Sequence, residues 1–313
     1  MLSRIADALY WMARYLERVD HTARLIELDL APPAAVEDDG APDDAWRPLL
    51  GVAANAVAYA ALHPDGAVTQ ERMIRFLSVE RTNPNAVRSC LRLARDNGHV
   101  VRDCLSDDAW EILNGLWVRS APHLERADGA DAMVQFCRAL RGEVARFHGV
   151  VLGAMVRDEA FAFYQLGTFV ERADMTARIL AARADAAADD ERAAALLYAL
   201  GGADAQRGRP APGCDAATLV GLVVGDPTFP RSLRFAVDRI ARALATADGA
   251  RVASTTRRIV ERLRRDVAAD GVGALEHGDL HAFLARFVGT IAGADAALRN
   301  ELLHTATEVA CAT

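Results

Sequence analysis

Apolar residues near the start of the chain fall at Ile5, Met12, Leu16, Val19 and Ala23, in steps of seven, four, three and four. Such steps nearly close whole helical turns, so these side chains form one stripe, while Glu17, Asp20, His21 and Arg24 share the opposite face. The same periodicity, read with caps and breakers, predicts helices near 3–30, 44–62, 69–79, 84–104, 107–119 and 131–153. It predicts six more near 156–186, 190–205, 215–224, 230–247, 252–270 and 277–311, the last breaking near Gly289 or Gly293. No stretch alternates convincingly at period two. Asn83-Pro84 reads as an N-cap with proline at the first helical position, Pro230 repeats that start, and Ser106-Asp107-Asp108 places a cap and two acids at a positive helix end. Residues 127–131 and Arg207 to Gly213 read as loops, and Gly201-Gly202 and Gly221 to Gly225 as helix ends and turns.

Two of these helices differ in a telling way. Taken alone, the charged face of the first reads as solvated. On the helix at 156–186, the face of Glu171 and Arg178 also carries Ala160, Tyr164, Gly167, Met175 and Ala182, so that helix is apolar nearly all round and is expected to be buried. Yet the two share a motif. Residues 15–26 read YLERVDHTARLI and residues 169–180 read FVERADMTARIL, so Glu17/Glu171, Arg18/Arg172, Asp20/Asp174, Thr22/Thr176, Ala23/Ala177 and Arg24/Arg178 recur at an offset of 154. The polar exception is His21 against Met175.

The likeness runs on in both directions. Leu9-Tyr10 matches Phe163-Tyr164 at the same offset, whereas Asp43-Asp44 matches Asp189-Asp190 and residues 76–95 match 222–241 at an offset of 146, with Thr82-x-Pro84 over Thr228-x-Pro230. The change of offset falls in one linker, where Ala31 to Pro42 is longer than its counterpart around Ala184 to Ala188. A loop that absorbs the shift while helices keep register is the signature of duplication. The expected fold is therefore all-α, a single helical bundle of residues 1–313 built from two pseudo-symmetric repeats of about 1–153 and 154–313.

Buried charges need partners. Asp20 reaches Arg24 and Asp174 reaches Arg178 four residues on, in the favourable orientation. Glu171 has Gly167, Thr168, Asp174 and Met175 at those spacings and Arg172 finds no acid, so their partners come from another helix or a ligand. Reciprocal pairing of Glu17 with Arg172 and Glu171 with Arg18 is the economical expectation. The alternative is a pocket in which these residues bind a carboxylate.

Composition narrows the chemistry. With 313 residues, 52% hydrophobic, a sizeable core is available. A net charge of −7 and a pI near 5.6 disfavour nucleic acid and anionic membranes as partners. All 36 basic residues are arginine, which reads first as codon bias and excludes a Walker A lysine or a lysine Schiff base. Five scattered cysteines, Cys90, Cys104, Cys137, Cys214 and Cys311, read as buried reduced thiols. Arg4 and Asp7 interrupt any signal-peptide run, and no eighteen consecutive apolar residues occur, so a cytoplasmic protein is expected. Glu301-x-x-His304 fits a di-metal ligand pattern once but lacks a second copy, so no metal site is expected. His21 beside Glu17 resembles an oriented general base, but Met175 in the other copy argues against a symmetric catalytic role. Without a G-x-S-x-G, P-loop or dinucleotide fingerprint, no cofactor is expected either.

The run MLSRIADALYWMARYLERVDHTARLIE, the second ERADMTAR, the segment LARDNGHVVRDCLS and DDAWEILN together resemble the alpha-E domain family, over essentially the whole chain. The resemblance implies an all-helical accessory protein acting beside a circularly permuted ATP-grasp protein of the amidoligase type and a transglutaminase-like protein. The family's ER motif falls on Glu17-Arg18 and Glu171-Arg172. Two functional expectations follow: a non-catalytic scaffold for an ATP-dependent peptide ligase system, or an enzyme or binding protein that takes an amino-acid or peptide carboxylate on the motif, with Asp20, Arg24, Asp174 and Arg178 alongside.

Overall fold

The computed structural model describes residues 1–30, 46–52, 56–126, 129–183, 190–202, 205, 214–247, 254–269 and 277–303. These form helices without a strand. The first half contains α1 (Ser3–Leu30), α2 (Arg47–Val52), α3 (Ala56–Leu62), α4 (Gln70–Ser78), α5 (Val87–Val100), α6 (Asp107–Arg126) and α7 (Ala130–Ala154). The second contains α8 (Glu159–Arg183), α9 (Asp190–Ala199), α10 (Ala216–Val220), α11 (Leu233–Ala247), α12 (Ser254–Ala269) and α13 (His277–Leu298).

Helices α1 and α8 form the centre and pack on each other; α1 also packs on α5 and α7, and α8 on α11 and α13. Element starts repeat this order. α4 and α10 begin at 70 and 216, and α5 and α11 at 87 and 233, both 146 apart; α6 and α12 begin at 107 and 254, and α7 and α13 at 130 and 277, both 147 apart. The linker segments 31–42 and 184–188 lie outside the described residues, as do Arg207 to Gly213, His304 and Cys311.

The centre is apolar on nearly every side. Along α8 the run from Ala162 to Val170 is buried without a break, and α1 buries Leu9, Tyr10, Met12, Ala13, Leu16 and Val19. The face of Glu17, Asp20 and His21, which reads as solvated in the first copy alone, is buried as well, because α5, α7 and α8 enclose α1. Close approach of the two central helices rests on Gly167: a Cβ there would lie 2.1 Å from the carbonyl oxygen of Tyr10 and 3.0 Å from the Cβ of Ala13.

Several helix ends depart from the sequence reading. Ser106 caps α6 as expected, its Oγ accepting from the Ala109 amide at 3.2 Å. Pro84 and Pro230 instead precede their helices by three residues. The Asn83 side chain accepts from the Asn85 amide and donates to the Phe76 carbonyl, which satisfies the turn without helix formation. Ser232, not the proline, caps α11 through the Phe235 amide. The predicted helix 107–119 runs on to Arg126 through Pro122. Gly201, at φ +75°, ends α9 as expected of a left-handed C-cap. Gly221–Gly225 is the end of the helix expected at 215–224, continuing α10 in π-helical form up to Asp226. Cys90, Cys137 and Cys214 are buried free thiols, while Cys104 is only half-buried, correcting the expectation for that residue. Among the described residues no helix is long and apolar enough to cross a membrane.

Candidate functional site

The α1–α8 interface carries a layer of buried charge. Glu171 is fully withdrawn from solvent and accepts from two arginines of α1. Arg18 grips it with Nε to Oε1 at 2.6 Å and Nη2 to Oε2 at 3.0 Å, a bidentate fork, and Arg14 adds Nε to Oε2 at 2.7 Å. Arg14 is itself held from α13 by Asp295, which accepts its Nη1 at 2.6 Å and also accepts the Tyr10 hydroxyl. Arg18 reaches Asn85 Oδ1 with Nη1 at 2.6 Å.

Glu17 forms the reciprocal cluster. Arg172 donates Nε to its Oε2 at 3.0 Å and Nη2 to its Oε1, and uses Nη1 on the Pro230 carbonyl at 3.2 Å. The second group on this carboxylate comes from α7: His148 Nε2 lies 3.2 Å from Oε1, and its Nδ1 is hydrogen-bonded to the Tyr164 hydroxyl. Tyr10–Asp295 and Tyr164–His148 are thus counterparts, tyrosines 154 apart meeting residues 147 apart.

The aspartates of the motif part company. Asp20 accepts Arg24 Nε at 2.9 Å and Arg231 Nη2 at 2.6 Å, with Arg141 Nε 3.8 Å away. Asp174 is held by Arg178 Nε at 2.9 and 3.0 Å. His21 donates Nδ1–H to the Glu17 carbonyl at 2.9 Å, which leaves Nε2 unprotonated and facing Arg231 Nη1 at 3.5 Å.

These partners decide the ionisation. Burial alone raises the Glu17 carboxyl, but the Arg172 charge, joined in acid by protonated His148, outweighs it and holds the group down to about 2. Burial likewise opposes ionisation of Glu171, and Arg18 and Arg14 bring it to about 2. Asp20 lies further below the carboxylate range because Arg231 and Arg24 overcome its burial. Asp174 moves the other way: burial and the nearby Glu171 raise it despite Arg178. Burial and the Arg231 charge depress His21 to about 4, and burial lowers His148 as well. Carboxylates so strongly held as ions, with their lone pairs engaged by guanidinium donors, are poor proton acceptors at neutral pH. All four ER residues are committed within the chain, which leaves their polar groups little means of taking a substrate carboxylate.

Of the eight residues singled out from sequence, Glu17, Arg18, Glu171 and Arg172 meet across α1 and α8, while Asp20–Arg24 and Asp174–Arg178 pair along their own helices. Sequence reasoning missed Arg14, His148, Arg141, Arg231 and Asp295. Arg14 had a local signal, standing one turn before Arg18 on the same face. Arg231 stood opposite Asn85 in the offset of 146, beside the matched prolines. His148, Arg141 and Asp295 carry no comparable mark. Glu301 caps α12, accepting from the amides of Thr255 and Thr256 at 3.1 Å, while His304, the other residue of its Glu-x-x-His pattern, lies outside the described residues.

An all-helical domain locked at its centre by two exchanged Glu-Arg dipeptides is the class defined by this fold and site. Residues 1–302 match the family model Alpha-E, described as a predicted alpha-helical domain with a conserved ER motif, and the chain belongs to that family. Curated relatives include an uncharacterized protein of Mycobacterium bovis and uncharacterized proteins of two Mycobacterium tuberculosis strains, each 24% identical over 98% of this chain. The chain spans 37% of the length of these relatives. No solved structure matches.

Proposed function

We propose that the chain is a non-catalytic accessory or scaffold domain that works with a circularly permuted ATP-grasp protein of the amidoligase type and a transglutaminase-like protein, and that its ER motifs are an internal lock. One observation carries this reading: Glu17 and Glu171 are each taken up by arginines of this same chain and held as buried carboxylates near pKa 2, which removes them as general bases and as open ligand groups. Relatives in which such a helical stretch is a minor part of a longer chain agree with a module that serves other units. The reading includes one helical domain over 1–313 made of two related repeats, supported by the matched order of elements and the exchanged motif partners.

Co-expression with the two proteins supplies the test. A stable complex is expected, in which ATP turnover by the ATP-grasp protein depends on this chain while the isolated chain turns over nothing. Turnover by the isolated chain that Glu171→Gln abolishes without unfolding would establish the alternative, an enzyme acting on an amino-acid or peptide carboxylate.

A further inference from the structure

A cavity of about 40 Å³ lies beside Glu171, with Arg18, Asn85, Asp174, Met175 and Arg178 in its wall. One water needs roughly 10–15 Å³, so the space admits a head group of a few heavy atoms. Its wall can be compared with the matching place in the other half of the molecule. There Glu17, Arg172, Asp20, His21 and Arg24 stand where Glu171, Arg18, Asp174, Met175 and Arg178 stand here, each 154 residues apart. The residue matching Asn85, 146 positions on, is Arg231, and its guanidinium projects into that place, donating to Asp20 at 2.6 Å and approaching His21 Nε2 at 3.5 Å. On the cavity side the asparagine is too short to do this and serves Arg18 instead.

Charge follows the same contrast. Asp20 has Arg24, Arg231 and, at longer range, Arg141. Asp174 has Arg178, while Asn85 stands in for Arg231 and Val288, 147 positions on, for Arg141. The cavity is therefore short of positive charge at the point where its counterpart receives a guanidinium, although Arg18 and Arg178 remain in its wall with their charges directed to Glu171 and Asp174.

We propose that this cavity is a binding site for a guanidinium group, which enters beside Asp174 and donates to its carboxylate as Arg231 does to Asp20. The burial and Glu171 repulsion that raise the Asp174 carboxyl are then offset by the ligand's charge. The group comes either from an arginine side chain of a peptide or protein, or from a free guanidino compound. The site stands independently of whether the chain is a scaffold or an enzyme.

Methyl NMR of the full chain tests it, with the Met175 methyl as reporter and N-acetylarginine amide, free arginine and sodium acetate as probes at matched ionic strength. A saturable shift in the millimolar range is expected with N-acetylarginine amide, and none with acetate. Response to N-acetylarginine amide alone marks a peptide source; an equal response to free arginine marks the guanidino group as sufficient. Asn85→Arg, which supplies the missing guanidinium from within, is expected to abolish the response and raise the melting temperature. Asp174→Asn, at a part-exposed position, is expected to weaken binding at least about tenfold while the helical circular dichroism is retained, the loss of a charge-assisted hydrogen bond. No shift with either arginine probe in the wild-type chain, an undiminished shift in Asp174→Asn, or saturation by acetate instead overturns the assignment.

Discussion

Glu17 and Glu171 occupy the same place in the same motif, and each is gripped by the arginine that follows the other. What stands behind them differs. Glu171 is served by a second arginine, Arg14, which Asp295 holds in place. Glu17 has His148 beside it, at the position matching Asp295, with Nε2 3.2 Å from the carboxylate. One cluster is built from permanent charges, the other partly from imidazoles. The difference teaches that a repeated charge pattern preserves the central pairing while the second partner is exchanged in coupled sets: His21 goes with Arg231 on one side, Met175 with Asn85 on the other.

Removing a carboxylate should break the comparison most severely. Glu171→Ala leaves Arg14 and Arg18 buried against each other, and a loss of about 3–5 kcal/mol is expected in urea denaturation. Glu17→Ala strands one arginine rather than two, since His148 is neutral there, so its loss should fall at the low end of that range. Charge exchange should separate the sites as well. Glu17→Arg with Arg172→Glu restores much of the lost stability, whereas Glu171→Arg with Arg18→Glu does not, because Arg14 then faces a like charge. Equal rescue at the two sites contradicts the second-arginine account.

The central pairing was within reach of sequence because it is a matter of arithmetic: on a helix apolar all round, Glu171 and Arg172 had no local partner, and the same dipeptide lay 154 residues away. Helix order was legible for a similar reason, since periodicity is local, whereas the single helix expected over 44–62 is described as two, α2 and α3. The supporting partners were not, because His148 on α7 and Asp295 on α13 reach the site only through packing of helices whose facing residues no spacing rule pairs. Burial of the first motif was also hidden. Its charged face looks ordinary until α5 and α7 are seen to close over it.

Acid should sharpen the contrast next. The folded-state pKa of His21, about 4, lies below its usual 6.5, so between these values the unfolded chain binds more protons than the folded one. Stability from this group is therefore complete above pH 6.5 and is lost as pH falls toward 4, by up to about 3 kcal/mol. His148, also depressed, acts in the same direction. Glu17 and Glu171 add a separate loss, from 4.5 down to about 2. His21→Met, which copies the other half, should flatten the upper window in denaturation curves taken at intervals from pH 7 to 4. An unchanged slope would assign that window elsewhere.

Arg231→Asn copies Asn85 and leaves Asp20 with Arg24 as its close partner. Loss of a charge-assisted hydrogen bond predicts about 1.5–3 kcal/mol of destabilisation. It should also raise the His21 pKa, since Arg231 is a main cause of its depression after burial. Histidine titration by NMR reads this directly, and a fixed pKa contradicts the contact.

The smallest effects concern how closely the central helices approach. At the position matching Gly167 the other helix has Ala13, so one Cβ is accommodated at this crossing and a second is not. Gly167→Ala sets a methyl against the Tyr10 carbonyl, which cannot rotate away, and the helices must separate at a cost of about 1–3 kcal/mol. That separation also lengthens the pairs one turn further on, so the mutant should lose part of the difference between Glu171→Ala and Glu17→Ala when either is added to it. Gly149→Ala provides the matched control. It lies on the exposed side of α7 with nothing within 4 Å of the new Cβ, so helix propensity alone acts and a gain of about 0.5–1 kcal/mol is expected. If both glycine variants shift the urea midpoint in the same direction, the cost at Gly167 is not set by contact with α1, and the crossing is not what holds the two ER motifs within reach of each other.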